Sequence, residues 1–402
     1  MVEIEKLYRI ALENGEGVKG YKKRFAYEKL RELVLKEGEG KKPIILMPGI
    51  RGVGKTTLML QLFNEIEGSF YFSADSILVR TSSLYEVVEE AYRHGYRIVF
   101  IDEVHMYRKW IEELKNIYDD FNVRVVASGS SSAAIKKGGI VLGRRALEVP
   151  LPLLTLGEYV YLKEGETYPS RVEDVLDKKS TIKWLASHPM AEKHYKEYMH
   201  VGGFPAGAVE KGMIFKLMKR MVYEDAVAEF SLTRNKVDVC ERLLGFLALS
   251  KPGEFSYTSF SSMSGYGKST VYEAVNMLLE LGILREVREK TPKSEAKGSI
   301  KLLFSHPNLR VAFAEQLMRE AELGALREEY FLFHMAELGF PVFIPKGMKK
   351  HPDYEVIMGK KSIVFEVGGG GKGGRQLEGK EGIIADDEIL TVIGFVQKTD
   401  QK

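Results

Sequence analysis

Cysteine is almost absent from this chain of 402 residues, because Cys240 is its only cysteine. A single thiol excludes an intramolecular disulfide and a metal cluster built from cysteines. Such a composition fits a reducing compartment, and we expect a cytoplasmic protein. The first residues, MVEIEKLYRI, lack the basic and then apolar layout of a signal peptide.

Long apolar runs and a strong net charge are also missing. No segment approaches the roughly 20 apolar residues that a membrane helix needs, so we expect no membrane contact. The formal net charge is +3, which is too small to hold nucleic acid by bulk charge. A nucleic-acid partner would therefore require a local patch. The length allows about two to four domains.

The most informative segment reads GIRGVGKT at 49–56. It fits the pattern G-x-x-x-x-G-K-[ST], in which glycines let backbone N–H groups point at phosphate oxygens. An apolar run at 42–47 precedes it and helical spacing follows at 57–66, so a helix N-terminus faces the anion. We expect Lys55 to contact the β- and γ-phosphates and the Thr56 hydroxyl to ligate Mg²⁺. The predicted nucleotide-binding residues are Gly49, Arg51, Gly52, Val53, Gly54, Lys55, Thr56 and Thr57.

Further residues that could bind or hydrolyse a nucleotide follow at the ends of predicted strands. YRIVFIDE at 96–103 predicts a strand ending in two acids; Asp102 would hold the Mg²⁺ shell and Glu103 would polarise the attacking water. The next predicted strand, at 123–132, leads to Ser128, which either senses the γ-phosphate or belongs to a turn that caps a helix. Arg144 and Arg145 come next. One of them acts as an arginine finger on a neighbouring subunit, or both are solvated.

Five segments together resemble a known family: GIRGVGKTT, IDEVHMYRKW, ASGSSS, LEVPLPLLTLGEY and YMHVGGFP. They are similar to segments of the archaeal and bacterial AAA-type ATPases that carry a C-terminal nuclease-like domain. The resemblance implies an α/β sheet with an additional strand between the two strands that bear the nucleotide motifs. It also implies ATP and Mg²⁺ as cofactors and a helical lid after the sheet. A finger supplied in trans would require a homo-oligomer.

Residues 236–305 predict three helices followed by two strands, which is the order of a winged helix. In that module the third helix enters the major groove of DNA. The predicted DNA contacts are Lys268, Ser269, Thr270 and Tyr272 at the start of this helix and Lys293 and Lys297 between the strands. Nearby acids such as Glu286 and Glu289 dilute the positive charge, so a purely structural role remains open.

The last segment places acids in the layout of restriction-type nucleases. Asp353 follows Pro352, and Glu366 ends the next predicted strand. Glu328 matches the helix acid of the family that the chain resembles, with Glu329 as the alternative register. Nucleases of this type use a lysine two residues after the second acid to orient hydroxide, whereas position 368 is glycine. We therefore expect a degenerate site that does not cut DNA, with an active nuclease as the alternative.

The sequence thus predicts an α/β protein of four parts: a phosphate-loop ATPase core (1–159), a helical lid (160–235), a winged helix (236–305) and a nuclease-like domain (306–402). We expect it to couple ATP binding and hydrolysis to DNA binding. The family's relation to junction-resolving nucleases implies branched DNA. The alternative is an ATP-dependent oligomeric switch that acts on a protein partner.

Overall fold

The computed structural model describes residues 3–37, 40–79, 81–130, 132–205, 212–226, 234–290, 299–345, 352–369 and 382–397. Contacts within the chain divide it into two units. The first consists of Met1–Leu153 and Glu224–Ser231, and the second of Leu154–Tyr223 and Leu232–Lys402. The short segment Glu224–Ser231 therefore belongs to the first unit although its neighbours in sequence belong to the second.

The first unit contains a parallel sheet of five strands in the order β2-β3-β4-β1-β5. Its strands are β1 (Ile44–Pro48), β2 (Ser69–Ser73), β3 (Ile98–Asp102), β4 (Arg124–Gly129) and β5 (Ala146–Glu148). The near-continuous apolar runs of β1, β3 and β4 are typical of strands that are covered on both faces. Strand β4 lies between β1 and β3, which confirms the additional strand that the resemblance implies.

Six helices accompany this sheet in the described part of the first unit: α1 (Ile4–Glu16), α2 (Ala26–Leu35), α3 (Lys55–Glu65), α4 (Leu84–Arg93), α5 (Trp110–Asp120) and α6 (Ser132–Leu142). Short 3₁₀ turns occupy Val104–Met106 and Gly143–Arg145. Apolar side chains of the helices and strands form one buried core, including Leu7, Phe70, Val88, Ile101 and Leu114. This core fixes the strand ends at which the predicted nucleotide motifs lie.

The second unit begins with helices, as expected for the segment after the sheet. They are α7 (Leu156–Glu164), α8 (Val172–Leu176), α9 (Lys178–Ser187), α10 (Ala191–Val201) and α11 (Met213–Arg220). A π-helical turn, Met221–Asp225, continues directly from α11. Such turns are rare and are frequent at functional sites.

Three helices and an antiparallel pair of strands follow in the order that the sequence predicts. They are α12 (Arg234–Leu249), α13 (Tyr257–Ser264), α14 (Lys268–Glu280), β6 (Leu284–Arg288) and β7 (Ile300–Phe304). Gly265 ends α13 with a φ of 77°, a left-handed conformation that glycine adopts without a Cβ clash. That this segment is a winged helix and that it contacts DNA remain predictions.

The last part contains α15 (Pro307–Gln316), α16 (Leu323–Glu337), α17 (Asp387–Ile393) and a second sheet in the order β11-β10-β9-β8. Its strands are β8 (Val342–Phe343), β9 (Tyr354–Met358), β10 (Lys361–Val367) and β11 (Gly382–Ala385). Strand β10 is antiparallel to β9 and parallel to β11.

One core connects all parts of the second unit. It includes Tyr159 and Tyr198 from the helices after Leu153, Leu303 from the strand pair, and Tyr330 and Phe365 from the C-terminal part. The Arg285 guanidinium also donates a hydrogen bond of 2.9 Å to the Leu332 carbonyl. The division of residues 160–402 into three separate domains therefore stays a prediction. No helix in the described ranges is long and apolar enough to cross a membrane.

Candidate functional site

The glycine-rich segment forms a tight loop between β1 and α3. Gly52 and Gly54 have φ values of 88° and 92°, the left-handed region that glycine tolerates best. A Cβ at Gly49 would lie 2.6 Å from the Leu151 carbonyl oxygen, so no larger residue fits there. The Arg24 guanidinium donates a hydrogen bond of 2.6 Å to the carbonyl of Val53 in the loop. The loop is thus held in a curved conformation, with the N-terminus of α3 at its end.

Lys55 is the first residue of α3 and is buried. Its Nζ donates hydrogen bonds to the carbonyls of Gly49 at 2.7 Å and Ile50 at 3.3 Å. Burial lowers the pKa of Lys55, and the carboxylates of Glu103 and Asp102 oppose this shift. The ammonium therefore lies inside the curve of the loop, where the sequence places a phosphate.

Asp102, at the end of β3, is the point at which three hydroxyl groups converge. The Thr56 hydroxyl donates to it at 2.6 Å and the Tyr71 hydroxyl at 3.0 Å. The Ser128 hydroxyl donates to its other oxygen. Thr56 and Asp102 offer adjacent hard oxygen atoms, which fit Mg²⁺. This ion is usually bound by one or two carboxylates together with waters and phosphates of the substrate.

Glu103 adopts a left-handed backbone conformation with φ 48° and ψ 38°, which is uncommon for a residue with a side chain. Burial and the neighbouring Asp102 raise the pKa of Glu103, and Lys55 opposes the shift. Its Oε2 accepts from the Ser130 N–H at 3.3 Å and lies 3.4 Å from Nδ1 of His105. A strained acid beside a phosphate loop has the features of a catalytic position.

The structure adds three residues that the sequence reasoning missed: His105, Ser130 and Asp225. Ser130 directly follows β4, and its hydroxyl contacts Nε2 of His105 at 3.3 Å and donates to Asp225 at 3.1 Å. The Arg51 guanidinium also donates to Asp225, at 2.5 and 3.3 Å. Asp225 follows Arg51 by 174 positions. No local pattern in the sequence indicates this contact.

Other predicted catalytic residues lie at different distances from this centre. Ser128 lies inside β4 and is fully buried. Arg145 donates to Asp119 at 3.1 Å, whereas Arg144 is exposed. Thr57 is half-buried on the first turn of α3. The roles of Ser128 as a γ-phosphate sensor and of either arginine as a finger stay predictions.

A second group of acids lies in the second unit. The Lys301 ammonium, from β7, lies 3.2 Å from Glu328 and 3.7 Å from Asp353. Tyr354 donates a hydrogen bond of 2.5 Å to Glu328, and the backbone N–H of Val367 donates to Asp353 at 2.9 Å. Burial raises the pKa of Glu328, which Lys301 opposes.

The second acidic group contains a cation that the chain itself supplies, Lys301. Glu366 precedes Val367 on β10 and is buried. Within the described ranges, no three His, Cys, Asp or Glu side chains are grouped so as to hold a metal ion. An ammonium group already contacts two of the predicted ligands. The signal that sequence reasoning missed was a lysine on the preceding strand pair, far from the position at which a nuclease motif carries it.

The predicted DNA-contacting helix exposes its first turn. Lys268, Ser269 and Tyr272 are exposed on α14, and Thr270 is half-buried. Lys293 and Lys297 lie outside the described residues. On the same helix Glu273 forms an ion pair of 2.7 Å with Lys236. The described surface here therefore carries both charges, and exposed Lys268 precedes exposed Tyr272 by four positions on the helix.

Comparison with known proteins supports the reading of the first unit. Residues 41–160 match the family model of the AAA domain. This segment is therefore similar to AAA domains. It covers β1 to β5 of the parallel sheet, together with the loop, Asp102 and Glu103. The five-stranded parallel sheet and the loop geometry agree with this assignment.

Relatives of known sequence extend over different parts of the chain. An uncharacterized protein of Methanocaldococcus jannaschii is 28% identical over 412 residues, which cover 92% of this chain and 86% of that protein. A Holliday junction branch migration complex subunit RuvB of Thermotoga maritima is 28% identical over 94 residues. That match covers 23% of this chain and 28% of RuvB, so the chain spans less than a third of that relative.

Among solved structures, the Walker-type ATPase of Pyrococcus abyssi matches 78% of this chain and 96% of its own chain. Its sequence identity is 15% and its TM-score is 0.40.

Proposed function

We propose that the first unit binds ATP with Mg²⁺ and hydrolyses it. The observation that carries this proposal is the convergence of Lys55, Thr56 and Asp102 at one loop, with Glu103 beside them. Phosphoryl transfer needs mainly positioning and charge stabilisation. A buried ammonium, a helix N-terminus and adjacent oxygen ligands supply both.

The side chains divide the work of the reaction. Lys55 and the backbone N–H groups of the loop hold phosphate oxygens, and Thr56 and Asp102 would hold Mg²⁺. This ion supplies positive charge that offsets the phosphates. Glu103 orients the attacking water and accepts its proton, which its burial and raised pKa favour. The Ser130 N–H fixes the Glu103 carboxylate.

Retention of nucleotide by variants of Lys55 tests the first part of this proposal. We expect Lys55→Ala to abolish retention of a fluorescent ATP analogue with Mg²⁺ present, because the phosphate charge loses its buried partner. Lys19→Ala is the matched control, since Lys19 is an exposed lysine paired with Glu16. If the folded wild-type protein binds no nucleotide, the proposal is wrong.

We also propose that nucleotide state controls contact with DNA through the first turn of α14. Exposed Lys268 and Tyr272 offer a cation and a stacking surface there. The short match to RuvB, whose name refers to Holliday junctions, favours branched DNA as the ligand to test first. Gel shifts with linear and four-way DNA, with and without ATP, measure this. Lys268→Glu should weaken binding and Lys6→Glu should not.

One observation favours the alternative of a switch that acts on a protein partner. The charges near the proposed DNA surface are largely paired, because Glu273 contacts Lys236 and Glu286 contacts Arg288. A switch predicts no salt-dependent DNA binding, whereas affinity for DNA should fall steeply as salt rises. In both cases we propose a homo-oligomer in which exposed Arg144 reaches a neighbouring nucleotide. Loss of ATPase activity in Arg144→Ala with retained assembly would support this role.

For the second acidic group we propose that it does not cut DNA. Position 368 lacks the lysine that such nucleases carry. Lys301, which forms ion pairs with Glu328 and Asp353, comes from β7 and not from the strand of Glu366. A cleavage assay with Mg²⁺, compared between the wild type, Asp353→Ala and Glu366→Ala, tests this. Cleavage by the wild type that both substitutions remove would revive the active nuclease.

A further inference from the structure

Asp225 places a buried carboxylate among the groups that are suited to bind phosphate. It lies at the end of the π-helical turn Met221–Asp225 and is 2% exposed. One of its oxygens accepts from Arg51 Nη2 at 2.5 Å. The other accepts from Arg51 Nε at 3.3 Å and from the Ser130 hydroxyl at 3.1 Å.

The donors of Asp225 belong to the nucleotide site. Arg51 lies inside the phosphate loop, between Gly49 and Gly52. Ser130 directly follows β4, and its N–H contacts Glu103 while its hydroxyl contacts Asp225. The Asp225 carboxylate therefore lies on the side of the loop that faces the proposed catalytic acid, where the terminal phosphate of a triphosphate must also lie.

Carboxylate and phosphate are alternative partners for one guanidinium. Arginine binds both in the same two-pronged manner, and both are anions that hydroxyl groups can solvate. The Arg51 guanidinium is 17% exposed, and its contact with Asp225 is bidentate. A terminal phosphate that reaches Arg51 and Ser130 must share or replace the Asp225 carboxylate.

We propose that Asp225 is a built-in competitor of the γ-phosphate, which ATP displaces and ADP does not. This inference rests on the proposed function and adds a regulatory element to the same site. The position of Asp225 in the chain gives the displacement a consequence. Tyr223 and Leu232 belong to the second unit, while Glu224–Ser231 belongs to the first. Release of Asp225 thus acts two residues after Tyr223, where the chain passes from the second unit into the first.

The competing explanation is that Asp225 is a permanent brace for Arg51. A brace would hold the loop in shape for any nucleotide, so its removal should weaken ATP and ADP alike. Removal of a competitor should instead strengthen the binding of ATP and leave that of ADP unchanged, because only ATP carries the γ-phosphate. The ratio of the two affinities therefore separates the explanations.

The test measures the affinity of ATP and ADP with Mg²⁺ for the full chain by calorimetry, using ATP at a temperature and time at which turnover is negligible. We expect Asp225→Asn to tighten ATP at least about tenfold, which is the effect of one charge-assisted hydrogen bond, and to leave ADP unchanged. Glu89→Gln is the matched control, since this carboxylate also pairs with an arginine, Arg93 at 2.6 Å, but lies on α4. It should change neither affinity.

A double-substitution cycle sharpens the same test. Arg51→Ala should weaken ATP more in the Asp225→Asn background than in the wild type, because only there is the guanidinium free to bind phosphate. Equal effects in both backgrounds, or weaker binding of ATP and ADP in Asp225→Asn, would overturn the proposal.

A measurement on the wild type covers the case in which Asp225→Asn does not fold. Amide hydrogen exchange at residues 221–226 should rise when a non-hydrolysable ATP analogue is added and stay constant with ADP. Unchanged or slower exchange with the analogue would overturn the competitor role while leaving nucleotide binding intact. Absence of any nucleotide binding would overturn both this inference and the proposed function.

Discussion

The two acidic groups of this protein differ in what neutralises them. Asp102 in the first unit accepts from the hydroxyls of Thr56, Tyr71 and Ser128, which carry no charge. Glu328 and Asp353 in the second unit face the Lys301 ammonium instead. Both groups lie in α/β sheets and both read as metal sites in the sequence. The difference teaches that the partner of an acid, and not the acid itself, decides its chemistry.

Energetic reasons make this difference consequential. A buried carboxylate without a cation is costly, unless hydrogen bonds or a ligand compensate for its lost hydration. Hydroxyl donors compensate partly and leave the net charge available to a metal ion. A lysine compensates for the charge within the chain, so a metal ion would have to displace it. We therefore expect the first group to depend on ligands and the second to depend on Lys301.

The largest expected effect compares one acid from each group. Glu103→Gln should lower ATP hydrolysis by about 10²–10⁴-fold, the usual contribution of a general base, while ATP still binds. Glu328→Gln should leave hydrolysis unchanged, because its carboxylate is a structural partner of Lys301. Steady-state phosphate release measures both. Normal turnover by Glu103→Gln would show that another group activates the water.

The second prediction removes the ammonium that neutralises the second acidic group. Lys301→Met removes the ammonium and should lower the free energy of unfolding by about 3 kcal/mol, since the buried Glu328 carboxylate loses its cation. Lys290→Met, at an exposed lysine 3.8 Å from Glu355, should cost less than about 1 kcal/mol. Urea unfolding measures both.

The same variant should acquire affinity for metal. In the absence of nucleotide, Mn²⁺ should stabilise Lys301→Met more than the wild type, because only the variant lacks the ammonium beside Glu328 and Asp353. Paramagnetic resonance of bound Mn²⁺ gives a direct measurement. Equal binding of Mn²⁺ by both proteins would contradict the distinction between the two acidic groups.

Sequence reasoning predicted the parts of this protein that depend on local patterns. The loop at 49–56, the strand that ends at Asp102 and the three helices and two strands within 236–305 follow from short-range spacing. Lys55 and Thr56 lie where the loop pattern places them, since the chemistry of that loop is encoded in consecutive residues.

Long-range contacts were not predictable in the same way. Asp225 and Lys301 reach their partners across 174 and 27 positions, and nothing in their neighbouring residues specifies those partners. The nuclease motif requires a lysine at position 368, where this chain has glycine. The structure supplies a cation, Lys301, from a different strand pair. Side chains that neutralise a site can come from any element that packs against it, so a one-sequence pattern identifies acids more easily than their partners.

The third prediction concerns the pH dependence of the first group. Burial lowers the pKa of His105 to about 4, and the Lys55 and Arg51 charges act in the same direction while Asp225 and Asp102 oppose it. Above pH 6.5, the ordinary pKa of histidine, His105 is neutral in both the folded and the unfolded chain. As pH falls from 6.5 toward 4 only the unfolded chain binds the proton, so the folded state loses stability over this range. Titration of this one group changes the free energy of unfolding by at most about 1.4 kcal/mol per pH unit.

His105→Gln should therefore flatten the decrease in unfolding free energy between pH 6.5 and 4, relative to the wild type. His94→Gln is the control, because His94 is an exposed histidine on the same unit. Chemical denaturation at several pH values measures the slopes. Parallel curves for the wild type and His105→Gln would exclude His105 as the titrating group.

The smallest effect isolates one hydroxyl in the first group. Tyr71→Phe removes a 3.0 Å donor from Asp102, while Tyr107→Phe removes a comparable 2.8 Å donor from Glu113, which is not among the proposed ligands. Both should lower the free energy of unfolding by about 1 kcal/mol. Only Tyr71→Phe should raise the Mg²⁺ concentration at which ATP hydrolysis is half-maximal, because only Asp102 is a proposed ligand of the ion. An equal shift in both variants would mean that the loss of stability, and not the orientation of Asp102, sets the metal requirement.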